Sequence, residues 1–518
     1  MAQKPNVLFI ITDQQRADHV GFMGHPSLRT PHLDALAAQG RVFRNAWVAN
    51  PVCMPNRCSI MTGRLPTAHS VIFNDRSLPW NANTFVRQFR AAGYRTALLG
   101  KSHLQHGQSR NAVMPYAGEG PEGDPFPPGW NAIEDEERYW EDPIPAPEDF
   151  YGFEHLALSI DHGARMSGHH LRWALSQGAD RPSLVHDYDA DAPGAHRSPH
   201  WWQIYQPPYG EELHSTHFVA EETMAVIREG AERGEPWLAF CSFPDPHHPL
   251  TPPGDWFFRH RPEDVTLPAS RFDDLAEAPA HLRHLASIHP KDQRTWVAPC
   301  GYGDDALLAE ALAATYGMIE MIDDRVGQIL ACLEASGQAE NTIVVFTSDH
   351  GDMMGDHGLF LKGFMHYRGT LQVPLVIRAP GVVPGATEAL ASSLDLAQTL
   401  LELCDLNAYE GMQGHSLVPL LEDGQQAVRT HVLVEDDVAP IVARRTPIPG
   451  KTRTLITERY RYTRNSKGEE QLFDLQADPD EMTDLARRDP TLRASLLEQL
   501  TDALLAADDA ARNTPVRG

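Results

Sequence analysis

Cys53, Pro55 and Arg57 open the stretch on which the chemistry of this chain rests. Pro55 suits the first turn of a helix, where its missing N–H costs nothing, and Gly63 is a natural stop. The spacing predicts a helix of about two turns with Cys53 at its amino end. Free backbone N–H groups and the positive end of the helix dipole favour an anion there. Cys53 and Arg57 stand four apart and share one face. A nucleophile-sized group, a helix amino end and a guanidinium thus converge on one point, a pocket suited to a tetrahedral oxyanion.

Two further pairs, Asp13-Gln14 and Asp349-His350, each follow an apolar run. All four side chains are oxygen or imidazole donors suited to one divalent cation. Taken singly, an Asp after a strand is often a helix cap, and a lone His is more often structural. Two such pairs in a chain that also carries the Cys53 stretch favour the metal reading. Lys101 and His103 stand two apart and would point the same way in an extended segment. His247, with His248 as the register-shifted alternative, and Lys362 complete the set; isolated lysines are usually solvated, and 26 histidines make coincidences certain. His357 and His366 read as structural or peripheral.

These residues need rigid elements behind them. Residues 6–12 and 341–348 read as strands apolar on both faces, the mark of a parallel sheet covered by helices. In such sheets sites lie beyond the carboxyl ends of the strands. Further strands are predicted at 94–99, 237–243 and 373–378, and helices at 30–40, 84–93, 211–229 and 305–336. Residues from about 104 to 210 lack a clean period and read as a long irregular insertion, a lid or a packing element. Its aromatic stretches 126–153 and 200–209 are candidates for a leaving-group pocket or a subunit contact. From 426 to 518 short strands at 431–434, 452–457 and 460–463 and a helix at 490–510 predict a small α+β domain. The catalytic α/β domain is then 1–425.

With 44 basic and 70 acidic residues the formal net charge is -26, which argues against nucleic-acid binding. An anionic substrate would need positive charge focused in a pocket. Six scattered cysteines lack metal-type spacing and point to a reducing compartment. The apolar run 7–11 is too short for a signal peptide or a membrane span. The expectation is a cytoplasmic protein without membrane contact.

Cys53-Met-Pro55-Asn-Arg57 resembles the C-x-P-x-R signature of the type I sulfatases and the similar phosphonate monoester hydrolases of the alkaline phosphatase superfamily. Gly100-Lys101-Ser102-His103 matches the family's G-K-x-H element, His247 the His of P-H-x-P, and Lys362 the lysine of G-x-H-G-x-x-x-K. Leu472 to Glu481 is similar to a late segment of the family. The resemblance implies an alkaline-phosphatase-like α/β fold, with a mixed, largely parallel sheet between helices. It implies that Cys53 is oxidised to formylglycine by a maturation enzyme. It also implies one divalent metal on Asp13, Gln14, residue 53, Asp349 and His350. Arg57, Lys101 and Lys362 would then stabilise the substrate anion, His247 would protonate the leaving group, and His103 would accept the proton of the second formylglycine hydroxyl. Sulfatases usually carry Asp-Asp and Asp-Asn where Gln14 and His350 stand. Those occupants are more like phosphonate monoester hydrolases and some cytoplasmic sulfatases, and the nitrogen ligand admits Mn2+ beside Ca2+. The usual Tyr-Glu after the lysine element is Tyr367-Arg368 here. The implied activity is arylsulfatase-like hydrolysis of small anionic esters, with phosphonate monoester or phosphodiester hydrolysis as the alternative and a non-catalytic metal-binding relative as a reading of another class. Homo-oligomerisation follows only from the resemblance to cytoplasmic relatives.

Overall fold

The computed structural model describes residues 4–106, 126, 129–141, 147–185, 196–293, 299–424 and 426–512. In chain order the strands are β1 (Asn6–Thr12), β2 (Arg41–Trp47), β3 (Arg95–Gly100), β4 (His155–Ile160), β5 (Trp237–Ser242), β6 (Cys300–Gly301), β7 (Thr342–Ser348), β8 (Leu359–Phe360), β9 (Leu375–Arg378) and β10 (Gly385–Ser392). Eight of them form one sheet in the order β10-β2-β9-β7-β1-β5-β3-β4, and β6 pairs with β8 as a small ribbon. β9 alone runs antiparallel to its neighbours β2 and β7. The central strand explains the unbroken apolar run: Val7, Phe9 and Ile11 enter one core, and Leu8 and Ile10 enter the other. Helices Ser215–Arg233 and Asp305–Ala335 cover the second face through Phe218, Val219, Ile322 and Val326. Helices Cys53–Thr62, Phe85–Ala91 and Asp395–Leu403 cover the first.

The strands β11 (His431–Asp437), β12 (Lys451–Thr457), β13 (Tyr460–Asn465) and β14 (Glu470–Asp474) form a separate antiparallel sheet. Leu433, Leu455, Tyr462 and Leu472 bury one face of it against Leu496 and Leu500 of the Pro490–Arg512 helix. Glu435 N donates to Ala49 O at 2.9 Å, so this sheet docks beside the segment that leads into Cys53.

The insertion departs from expectation. It carries β4, the sheet's edge strand, and the helix Gly168–Ser176. Six residues of mixed polarity give too short a signal for a strand, and pairing with β3 supplies what local pattern lacks. β10 was equally hidden, because its alanine-rich sequence has weak β propensity and a register shift between Thr387 and Leu390. Among the described residues of the aromatic stretches, Tyr139, Phe150, Tyr151, Phe153, Trp201 and Tyr205 are buried. Residues 127–128 and 142–146 of those stretches lie outside the described residues. Among the described residues no helix is long and apolar enough to cross a membrane.

Candidate active site

Neighbouring strands β7, β1, β5, β3 and β4 deliver Asp349, Asp13, Asp245, Lys101 and His162 from their carboxyl ends. Asp349 N donates to Thr12 O, and Asp13 N to Asp245 O, each at 3.1 Å, so the ladder continues into the site. Gly100 holds φ +104, and any side chain there would strike the carbonyl oxygen of Ser242. That close approach lets Lys101 N donate to Ser242 O at 2.9 Å and turns the lysine inward.

Cys53 begins its helix as expected, Val52 is extended, and Gly63 ends it at φ +62. The helix is buried on every side. Asn56 fastens it: Oδ1 accepts from Ala49 N at 3.0 Å and Ser393 Oγ at 2.8 Å, while Nδ2 donates to Asp349 O at 2.5 Å. The Cys53 Sγ lies 3.2 Å from His350 Nε2, 3.0 Å from Lys362 Nζ and 3.7 Å from Asp13 Oδ1. Burial and Asp13 would raise this thiol, but Lys101, Lys362 and His350 prevail and bring it down to about 6.

Arg57 does not reach Cys53 directly. Its Nε donates to Asp349 Oδ2 at 2.7 Å, and Nη1 to Lys101 O at 3.1 Å and Ser242 Oγ at 2.8 Å. Nη2, buried 3.6 Å from Asp13 Oδ2, makes no hydrogen bond. Lys101 Nζ bridges Asp13 Oδ2 and His162 Nε2. Burial alone would raise the Asp13 carboxyl; Lys101, His247 and Lys362 hold it well below the usual carboxylate range. Gln14, at φ +67, donates through its side chain to Asp352 and accepts from Lys362 Nζ at 2.7 Å.

The donor atoms fit a cation. Atoms of Asp13, Cys53, Asp349 and His350 all lie within 4.8 Å of one another and are buried. His350 Nδ1 meets the Gly351 carbonyl at 2.9 Å and carries the proton of the neutral ring. Nε2 then turns a lone pair toward Asp13 Oδ1 at 3.6 Å and Asp349 Oδ1 at 3.5 Å. Such a converging set of acceptors calls for positive charge between them. Burial pulls the His350 pKa down, but Asp349 and Cys53 together hold it above its ordinary value, the direction that a demand for positive charge at this point produces.

Between His103 and His247 stands His162, a residue the sequence reading missed. His162 stacks on His247 with centroids 3.7 Å apart, and its centroid is 6.3 Å from that of His103. The segment at His103 is not extended: φ is +55, and Glu134 of the insertion accepts from the backbone N–H groups of His103, Leu104 and Gln105 at 2.7, 2.9 and 2.9 Å. Lys101 and His103 therefore face the site through this turn and not by strand alternation. Burial first, then Lys101 and His162, push His103 well below its usual pKa. His357 and His366 are structural, bonded to Asp273 at 2.8 Å and Thr454 at 2.7 Å. His162 immediately follows Asp161 at the end of β4; reading that strand would have exposed it by the logic that found Asp13 and Asp349.

Behind the helix, His69 Nδ1 accepts from Val71 N at 3.2 Å, so the neutral ring's Nε2–H faces Ser59 Oγ at 3.0 Å. Burial lowers its pKa from 6.5 to about 3. The unfolded chain takes up this proton below pH 6.5 and the folded chain does not, so stability is lost as pH falls from 6.5 toward 3. We expect His69→Gln to remove about 1.4 kcal/mol per pH unit of this acid dependence, read from urea unfolding at pH 6.5, 5.5 and 4.5.

The sulfatase family profile matches residues 5–406, and one for the N-sulphoglucosamine sulphohydrolase C-terminal region matches 355–509. An arylsulfatase of Clostridium perfringens is 29% identical over 495 residues, 93% of this chain and 90% of that protein. A choline-sulfatase of Rhizobium meliloti is 28% identical, covering 95% and 85%. The solved phosphonate monoester hydrolase of Agrobacterium radiobacter superposes with a TM-score of 0.76 at 27% identity, over 98% of this chain and 96% of that one. The profile spans most of the chain, through every candidate catalytic and metal-binding residue described above: this protein is a hydrolase of the alkaline phosphatase superfamily and belongs to the sulfatase family.

Proposed function

We propose that the protein hydrolyses sulfate monoesters with residue 53 acting as formylglycine, installed by a maturation enzyme. The observation that carries the reading is the ring of cations around one buried side chain: Lys362 at 3.0 Å from Cys53 Sγ, with Lys101 and Arg57 held on the Asp13 and Asp349 carboxylates beside it. The sulfur marks where the formylglycine oxygens would stand. A divalent cation, Ca2+ or Mn2+, on Asp13, Gln14, residue 53, Asp349 and His350 would lower the pKa of a coordinated hydroxyl and screen an anionic substrate.

The chain's own groups supply the rest. The hydrated aldehyde of residue 53 offers one hydroxyl for in-line attack at sulfur, and the S–O bond to the leaving group breaks. Lys101, Lys362 and the unbonded Nη2 of Arg57 balance charge on the sulfuryl oxygens. His247, once protonated at Nε2, gives that proton to the departing oxygen, and His103 takes the proton of the second hydroxyl. Cleavage of the C–O bond then releases sulfate and restores the aldehyde.

Phosphonate monoester hydrolysis is the second reading, favoured by Gln14 and His350 and by the likeness to the Agrobacterium radiobacter enzyme. The test is kcat/KM for an aryl sulfate and the matching aryl phosphonate monoester, on one batch with residue 53 confirmed as formylglycine by peptide mass. A higher value for the sulfate supports the first reading; a higher value for the phosphonate replaces it with the second.

A further inference from the structure

Three imidazoles form a column at the half-buried mouth of the site. His162 lies face to face with His247, planes 19° apart, and His247 lies on His248 at 4.1 Å and 23°. The mostly buried ring of His162 is anchored at Nε2. Nε2 accepts from Lys101 Nζ at 2.5 Å, so the proton of the neutral ring sits on Nδ1, 3.6 Å from Asp161 Oδ1. Asp161 stands at φ +73, a left-handed conformation that Asp tolerates better than most residues, and this bend at the end of β4 carries His162 over the sheet edge. Arg165 braces the bend, 3.9 Å from Asp161 Oδ2 and 3.2 Å from Glu136 Oε1. A surface histidine has no need of such a mount.

We propose that His162 is a positioning residue that fixes the plane of the His247 ring and the aim of the Lys101 ammonium. His247 Nδ1 is tied to the neighbouring His248 carbonyl, a single contact at the ring edge that limits but does not by itself fix rotation about Cβ–Cγ. Packing between His162 and His248 closes that rotation, so Nε2 keeps one direction toward the leaving-group oxygen. The imidazole also suits Lys101: it accepts a hydrogen bond while carrying no negative charge, so it does not compete with an arriving anion as a carboxylate would. Proton transfer and charge stabilisation both decline steeply when a group is misplaced by about 1 Å.

The inference rests on His247 as the group that protonates the leaving oxygen. It is tested by comparing 4-nitrophenyl sulfate, whose leaving group needs little protonation, with phenyl sulfate, whose leaving group needs more. For His162→Ala we expect kcat/KM to fall roughly tenfold further on phenyl sulfate than on 4-nitrophenyl sulfate. His162→Phe, which keeps the flat face and loses the acceptor, is expected to bring the ratio back toward that of the wild type. Equal losses on both esters for His162→Ala, or a Phe variant no better than Ala, would overturn the proposal. Should the Ala variant not fold, His162→Asn carries the same comparison. His247→Ala separates the two claims: equal losses on both esters there remove the role of His247 itself, whereas a larger loss on phenyl sulfate leaves His162 to be judged by its own variants.

Discussion

Cys53→Ala is expected to lose ester hydrolysis by about 10^5-fold or more in kcat, the scale seen when a covalent nucleophile is removed. Fold stability should change by no more than about 1–2 kcal/mol, because a small thiol is deleted. Lys362 Nζ loses one neighbour but keeps Gln14 Oε1 at 2.7 Å, and Asp13 keeps Lys101. Turnover assays and calorimetry on the same preparation separate the two effects. Retained turnover with an intact fold would place the attacking group elsewhere and end the scheme proposed above.

Arg57→Met is expected to strike activity and stability together. Asp349 is fully buried, and Arg57 Nε is its charged hydrogen-bond partner; Gln14 N, at 3.1 Å, is the neutral one. Removing the cation leaves a buried carboxylate uncompensated, a loss of about 3–5 kcal/mol. The loss of Nη2 beside Asp13 removes positive charge from the sulfuryl oxygens, for about a 10^2–10^3-fold fall in kcat. Arg57→Lys should recover little, since one ammonium cannot reach Asp349, Lys101 O and Ser242 Oγ at once. Because a bound divalent cation would itself balance Asp349, the melting-temperature loss in Arg57→Met should be larger in EDTA than with metal present. An equal loss in both would mean that Arg57 and the cation do not share the same carboxylates.

Much of the site could be read before any fold was known, for physical reasons that differ by residue. Asp13 and Asp349 stand out because β1 and β7 are buried on both faces, which leaves a continuous apolar run ending abruptly in an acid. The Cys53 helix announces itself through Pro55 and Gly63, whose backbone limits are local. Glu134, Asn56 and Ser242 had no such signature, and that of His162 lay behind the unread strand β4. Glu134 matters through three backbone N–H groups some thirty residues away, and Asn56 through Ala49, Ser393 and Asp349. Their roles exist only in tertiary contact. The extended conformation expected at His103 failed for the same reason, since Glu134 repays a left-handed turn that local sequence would avoid. Across the fold, β4 and β10 were missed because the sheet, and not their own composition, makes them strands.

The sheet order has a consequence in time. Cys53 sits 1% exposed against Asp13 and His350, and β7, which carries Asp349 and His350, is a direct neighbour of β1. About 300 residues separate Cys53 from β7. At a translation rate of about 10 residues per second, close to half a minute passes between the synthesis of the two. During that interval the pocket has no far wall, and the signature stretch of a nascent chain would be open to the maturation enzyme proposed above. Once β7 pairs with β1 the door closes. Slowing the ribosome between these points would lengthen the exposure, and a chain that folded unmodified would carry its thiol inside, out of a second catalyst's reach.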